Sequence, residues 1–383
     1  MAFWKSRQGK ADSADGKGEA ETVMGGKPKH EALSDWIRDR ILAGAFPIGS
    51  RLPSENELAK RFQLSRQTVR QAIGTLVREN LLERRQGSGT YVSRAALDNR
   101  PVTLNIGVIT TYLDSYIFPG VIRGIDKVLS HSGYHMQLGI TYNKTRNENQ
   151  VLSSLLESGV DGLIVEPTKS ALPNPNQKLY REIAASRIPL LFLNGYYAGM
   201  DFPYVAMNDY ESGKMATRYL LRRGHRKIFG IFKSDDVQGH FRYSGYVNQM
   251  RDADTAFEDS WVMWYVTEDL DTLFAPKDDD RLLSRIGDST GVVCYNDEIA
   301  CKLLEVLARH QIKVPEQISI VSFDNSDLAG LSHPGLRSID YPAGEIGAEA
   351  ARRLLALIRH QEKGSYAFLP KIVERGSVRD LNR

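Results

Sequence analysis

Cysteine is nearly absent: the 383 residues hold only Cys294 and Cys301, at a spacing that suits no metal site. That excludes a disulfide framework, and both thiols read as small apolar residues of a reducing compartment. Long apolar runs are lacking too. None approaches the ~18 residues of a membrane span, so no membrane contact is expected. The first 26 residues are rich in Gly, Lys and acidic side chains and lack the apolar core of a signal peptide. They read as a disordered tail on a cytoplasmic protein. Catalytic signatures are missing as well: there is no Gly-x-Ser-x-Gly elbow, no phosphate loop ending in Gly-Lys-Ser/Thr and no His-Glu-x-x-His. An acid-base site drawn around Lys233, Asp235 and Asp236 is the best case for an enzyme. No enzyme, cofactor or metal is expected.

Charge of one sign is scarce overall, with a net +3, but it is unevenly spread. Residues 27–96 carry 13 Lys/Arg against 7 Asp/Glu, whereas the residues after them carry 33 against 36. A basic module ahead of a mildly acidic body suggests nucleic acid as the partner of the first part and another task for the second. The length fits two or three domains, since single cores stop growing near ~250–300 residues.

In the basic module, Leu33, Trp36, Ile37, Ile41 and Leu42 recur at helical spacing, so residues 30–43 are expected as a first helix, ended by Gly44. Ser54 with Glu57 three residues on is a capping box that opens a second helix burying Leu58, Ala59 and Phe62. Ser65 caps a third, whose core stripe is Val69, Ile73, Leu76 and Val77 and whose polar face carries Arg66, Gln67 and Arg70. Two short strands around Gln86-Gly87-Ser88-Gly89 then form a hairpin beside Arg84 and Arg85. Helix, helix-turn-helix, hairpin is the layout of a winged helix that inserts its third helix into a DNA major groove. Arginine suits such work because its planar fork bonds guanine or phosphate at two points.

This order, with Leu52-Pro53-Ser54-Glu55 entering the second helix, resembles the GntR-type winged-helix family over residues 28–93. The resemblance implies that Arg66 and Arg70 contact bases or phosphates and that Ser54 and Thr68 contact phosphate. The wing tip Gln86, Gly87, Ser88 and Gly89 would touch the minor groove. Glu55, Gln67 and Arg84 complete the expected DNA-facing set.

After a linker at 94–102, apolar runs at 104–109, 162–165, 190–193, 228–232, 292–295 and 318–323 read as buried parallel strands. Helical patterns alternate with them, at 121–132, 150–158, 212–223, 297–310 and 346–359. The expected class is a doubly wound α/β domain of two lobes, with ligand at the carboxyl ends of the strands. Polar groups gather there: Thr110-Thr111 with Tyr116 and Phe118, Glu166, Lys169, Asn194, Lys233, Asp297 and Asp324. Arg242 lies on a following helix. Carboxylates, amides and a guanidinium beside aromatic rings suit a sugar, whose hydroxyls both donate and accept and whose C–H faces pack on rings. For any one of these residues, a turn or a helix cap remains the plain reading, Asp297 capping its own helix among them.

Gly224-His225-Arg226-Lys227-Ile228, Tyr295-Asn296-Asp297-Glu298-Ile299-Ala300, and Val314-Pro315-Glu316-Gln317-Ile318 running on to Asp324 resemble the LacI/GalR-type effector domain over about 103–383. The resemblance implies cleft residues at Lys169 or Ser170, Arg242, Asp297 and Asp324, with Tyr116–Phe118 as an aromatic wall. It implies lobe 1 at about 103–207 and 325–340 and lobe 2 at about 208–324 and 341–383. The chain would cross between them near 206–209, 323–326 and 339–342. A GntR-type head on such a domain is similar to the arabinose-operon repressors of Gram-positive bacteria, also in Val165-Glu166-Pro167-Thr168-Lys169-Ser170. That resemblance implies a repressor released from DNA by L-arabinose; another sugar, a sugar phosphate or a nucleoside is the alternative effector. A homodimer on a palindromic operator is expected, because one winged helix makes few base contacts.

Overall fold

The computed structural model describes residues 28–42, 45–47, 49–79, 81–85, 88–93, 102–113, 117–255, 257–359, 361 and 363–383. The tail, most of the linker, Gln86, Gly87 and Tyr116 lie outside the described residues, and so do Gly44 and the last residue expected of the first helix. Two units divide the chain near residue 102.

The first unit holds α1 (Lys29–Leu42), α2 (Glu55–Phe62), α3 (Arg66–Arg78), β1 (Leu82–Arg85) and β2 (Gly89–Val92). The apolar stripes meet in one core around Leu33, Ile37, Leu58, Val69, Ile73 and Leu76. Trp36 closes it, edge-on to Phe62 at 4.7 Å and to Phe46 at 5.8 Å. Ser54 and Glu57 form the expected box, and Ser65 accepts from the Thr68 N–H. Gln63 turns the chain between α2 and α3 with a left-handed φ of 52°. β1 and β2 pair antiparallel from Leu82↔Val92 to Arg85↔Gly89, and Arg51 bridges to Tyr91 as a short third rung. Gly89 needs to be glycine there: its φ is 129°, and a Cβ would stand 2.9 Å from Arg51 Nε.

The second unit opens with β3 (Asn105–Thr110), α4 (Phe118–His131), β4 (His135–Ile140), α5 (Thr145–Ser158), β5 (Gly162–Val165), α6 (Gln177–Ala185), β6 (Leu190–Leu193) and β7 (Tyr204–Met207). There follow α7 (Asp209–Leu221), β8 (Ile228–Lys233), α8 (Val237–Asp252), β9 (Val262–Tyr265), α9 (Leu270–Leu273), α10 (Asp279–Ile286) and β10 (Gly291–Cys294). The last elements are α11 (Asp297–Arg309), β11 (Ser319–Asp324), α12 (Asp327–Leu331), β12 (Arg337–Asp340), α13 (Ala343–Ile358), β13 (Tyr366–Phe368) and β14 (Ile372–Val373). They build two six-stranded sheets, ordered β13-β7-β6-β5-β3-β4 and β14-β12-β11-β10-β8-β9. All pairings are parallel except β12 with β14. The six expected strands are all present. Those missed are sheet edges or short runs: β4, for example, is partly exposed along its whole length, so no continuous apolar run marks it.

The expected assignment of the late segments to the lobes is corrected by the pairing. β12 joins β11 in the second sheet through four parallel rungs, from Val321↔Arg337 to Asp324↔Asp340, so residues 325–340 stay in lobe 2. α13 instead packs in the first lobe, burying Ile346, Ala350 and Leu354 with Ile106, Val108 and Ile164. The chain therefore crosses near 208, at 341–342 and at 369–371, and 323–326 is no crossing. Asp324 and Asn325, whose polar character looked like an exit, have φ of 97° and 47° and turn the chain within its own lobe. After the third crossing, β14 and residues to 381 return to lobe 2, where Ser377 exchanges bonds with the backbone of Ile320.

Candidate functional site

In the first unit, α3 displays Arg66, Gln67 and Arg70 exposed, with Thr68 half-buried, while Val69 and Ile73 on the opposite face fill the core. Glu55, at the start of α2, accepts from Arg70 at 3.2 Å and lies 3.5 Å from Arg84 of β1. One carboxylate thus ties α3 to the hairpin. The hydroxyls of Ser54 and Thr68 are engaged in the helix starts, with Glu57 at 2.7 Å and Ser65 at 2.8 Å. Within the hairpin, Ser88 bonds Tyr91 at 2.7 Å and Arg85 lies over the Tyr91 ring at 4.3 Å. The arrangement is a cationic helix face beside a cationic hairpin.

In the second unit a cavity of about 550 Å³ opens between the two sheets. Strand ends of lobe 1 bring Thr111, Glu166, Asn194 and, from α4, Phe118 to its wall; lobe 2 brings Lys233, Arg242, Tyr295 and Asp324. Six of the nine expected ligand residues therefore line it: Phe118, Glu166, Asn194, Lys233, Arg242 and Asp324. Ser170 lines it too.

Arg242 is nearly fully buried. Its Nε donates to Asp209 at 2.8 Å, Nη1 donates to the Tyr295 carbonyl at 2.5 Å, and Nη2 lies 3.6 Å from Asp324. Burial alone would lower its pKa, but Asp209 and Asp324 outweigh that and hold the guanidinium charged. Burial raises the Asp209 carboxyl to about 6, against the pull of Arg242. The contact exists because α7 and α8 touch at glycines. A Cβ at Gly213 would stand 2.0 Å from the Arg242 carbonyl oxygen, and one at Gly245 2.1 Å from that of Tyr210.

Lys233 lies 3.2 Å from Asp236 and 3.5 Å from Asp235, and these outweigh burial and keep its ammonium charged. Asp236 also caps α8 and accepts from the Tyr295 hydroxyl at 2.6 Å. Glu166 accepts from the Thr111 N–H at 2.7 Å, the Thr111 hydroxyl at 2.6 Å and Asn194 Nδ2 at 2.9 Å. Burial still raises its pKa, and those hydrogen bonds partly offset the effect.

Two expected ligand residues stand elsewhere. Asp297 points away from the cavity and accepts from Ser326 N–H at 2.7 Å, Ser326 Oγ and Ser338 Oγ at 2.8 Å, and the Ser322 hydroxyl. It does not cap its helix either; Asn296 does, accepting from the Ile299 N–H at 3.0 Å, and Asn296 and Glu298 reach the wall instead. Burial and the nearby Asp324 raise the Asp297 carboxyl to about 6. Lys169, at a left-handed φ of 48°, bonds across the lobes to Glu268 at 2.7 Å and Asp235 at 3.3 Å. Asn143 spans the same gap to Thr267 at 2.6 Å and Asp235 at 3.2 Å. These groups latch the lobes together beside the wall.

Sequence reasoning missed Tyr295, Tyr341 and Asp209. Tyr295 ends the apolar run 292–295, so in the sequence it reads as the last residue of a buried strand rather than as a wall residue. The partners of the other two lie far along the chain, so no spacing signals them. Among the described residues, no group of three or more His, Cys, Asp or Glu is placed to hold a metal ion.

Of the groups at the wall, Lys233 and Arg242 supply two cations, against the carboxylates of Glu166, Asp236, Glu298 and Asp324. An anionic ligand would meet a surplus of negative charge. A neutral polyol finds acceptors, donors and the rings of Phe118 and Tyr295.

Comparison with known proteins agrees with both halves. The family described as bacterial regulatory proteins, gntR family, matches residues 29–92, and the periplasmic binding protein-like domain matches residues 217–378. An arabinose metabolism transcriptional repressor of Halalkalibacterium halodurans is 37% identical over 361 residues, which is 91% of this chain and 96% of that protein. One from Geobacillus stearothermophilus is 37% identical over 92% of this chain and 98% of its own length. Among solved structures, the transcription regulator CcpA of Lactococcus lactis superposes with a TM-score of 0.65 at 27% identity, over 73% of this chain and 100% of that one.

Proposed function

Because the chain belongs to the family of arabinose metabolism transcriptional repressors, we propose that L-arabinose is the effector its cleft binds and that the sugar lifts it from operator DNA. It is a sugar-responsive transcriptional repressor, with a GntR-type head and a periplasmic-binding-like sensor. The observation that carries the choice of a neutral sugar is the excess of carboxylates over cations at the wall. Arg242 and Asp324 are bidentate partners for vicinal hydroxyls from lobe 2, Glu166 and Asn194 answer from lobe 1, and Phe118 packs on the ring. In the head, Arg66, Gln67 and Arg70 read the major groove while Arg84 follows the backbone and the tip at 86–89 reaches the minor groove. The protein works in the cytoplasm as a homodimer on a palindromic operator, since two half-sites multiply the discrimination of one head.

Sugar that bridges both lobes favours their closed form, and operator affinity falls by no more than the sugar's preference for one form over the other. Calorimetry with L-arabinose, other pentoses, hexoses and their phosphates tests the ligand, and a gel shift on operator DNA tests the response. L-arabinose should bind and release the DNA. Heat from a sugar phosphate alone would assign the cleft to an anion, and sugar consumed in the cell would mean catalysis.

A further inference from the structure

Asn194 stands at the end of β6 with a left-handed φ of 63°, and the two ends of its carboxamide meet different partners. Oδ1 accepts from the Tyr341 hydroxyl at 2.5 Å, and Nδ2 donates to Glu166 Oε1 at 2.9 Å. All three residues are buried, at 4%, 6% and 7% exposure. A carboxamide is nearly symmetric in shape, so its neighbours decide which end is oxygen. Turned around, Oδ1 would face the Glu166 carboxylate, acceptor against acceptor, and the phenol would lose its acceptor. Donation runs from Tyr341 to Asn194 to Glu166 Oε1, and Thr111 donates twice to Glu166 Oε2 from the other side, so both ends of the chain converge on the carboxylate.

Tyr341 is the first residue after β12, on the second crossing between lobes, and its ring is buried in the core of lobe 1 with Ile346 and Ala350. We propose that Tyr341 is a positioning residue for sugar recognition. Its hydroxyl fixes the Asn194 carboxamide so that the wall offers one remaining N–H beside the Glu166 carboxylate. That donor–acceptor pair selects adjacent hydroxyls of the ligand. Placed on a crossing, the same hydroxyl ties this selection to the segment that must bend when the lobes move.

The inference rests on the cleft being a sugar site, and the experiment separates the two. The parent chain and Tyr341→Phe are titrated calorimetrically with L-arabinose and each of its monodeoxy forms, with operator binding measured alongside as a check on folding. Without the phenol the Oδ1 end of the amide is untethered and only the Glu166 bond orients it, and L-arabinose affinity should fall roughly tenfold. The loss should be concentrated: the variant should stop distinguishing L-arabinose from the one analogue lacking the hydroxyl that Asn194 holds, and keep its discrimination elsewhere. A uniform loss across the series, or none, would overturn the positioning role while leaving the sugar site standing. Should the parent chain take up no sugar, the underlying reading falls and this one with it.

Discussion

Asp297 illustrates how one side chain turns burial into pH dependence. It is fully buried, and burial together with the nearby Asp324 pushes its carboxyl up to about 6 from the ordinary 3.8. A carboxyl raised on folding binds its proton more tightly in the folded state, so stability falls as pH rises through the interval between the two values. Asp297→Asn removes that titration. Between pH 4 and pH 7 the variant should therefore gain on the parent by roughly 2 kcal/mol, at ~1.4 kcal/mol per unit across the interval between the two values. Denaturant unfolding of both proteins at the two pH values checks this, and parallel curves would show that the group does not titrate in that window. The residue also marks a limit of sequence reading. An acid after a strand was legible as important, but whether it faces a cleft or three serines depends on Ser322, Ser326 and Ser338, and no spacing announces them.

Among elements, the α7–α8 pair carries most of the argument about the site. Gly213 and Gly245 bring the two helices into backbone contact, and that contact sets Asp209 against Arg242. Gly213→Ala would place a Cβ 2.0 Å from a carbonyl oxygen that cannot rotate away. Overpacking of this kind costs about 1–3 kcal/mol, so the melting temperature should drop and sugar affinity should fall with it. By contrast, Gly74→Ala on α3, where a Cβ meets nothing within 4 Å, should stabilise its helix by about 0.5–1 kcal/mol. Thermal melts of both variants decide the matter. The helices and central strands were legible because amphipathic stripes and doubly buried strands leave clear patterns. The pairing of Asp209 with Arg242 was not, since helical periodicity says nothing about which helix lies alongside.

For the whole molecule, the two units make separable demands. Arg66→Ala should weaken operator binding and reduce its salt slope by about one, with the heat of sugar binding unchanged. A fluorescence titration at several salt concentrations, paired with calorimetry, tests both halves; a change in sugar affinity would mean that the head feeds back on the cleft. Charge asymmetry and motif order made the two-part design legible. Two of the three expected crossings, near 206–209 and 339–342, coincide with those of the fold, but 323–326 is a turn within lobe 2, because a crossing leaves no local mark that tells it from a turn. Only the ladder of β11 with β12, and the packing of α13 against the first sheet, reveal which lobe owns each late segment.

The third crossing bears on how the protein is made. The core of the head is closed by Val92, whereas lobe 2 needs β14 and Ser377, roughly 280 residues later. At ~5–20 residues per second, a ribosome takes about 15–60 s to cover that distance. For that interval each nascent chain carries a finished DNA reader attached to a sensor that cannot yet answer to sugar.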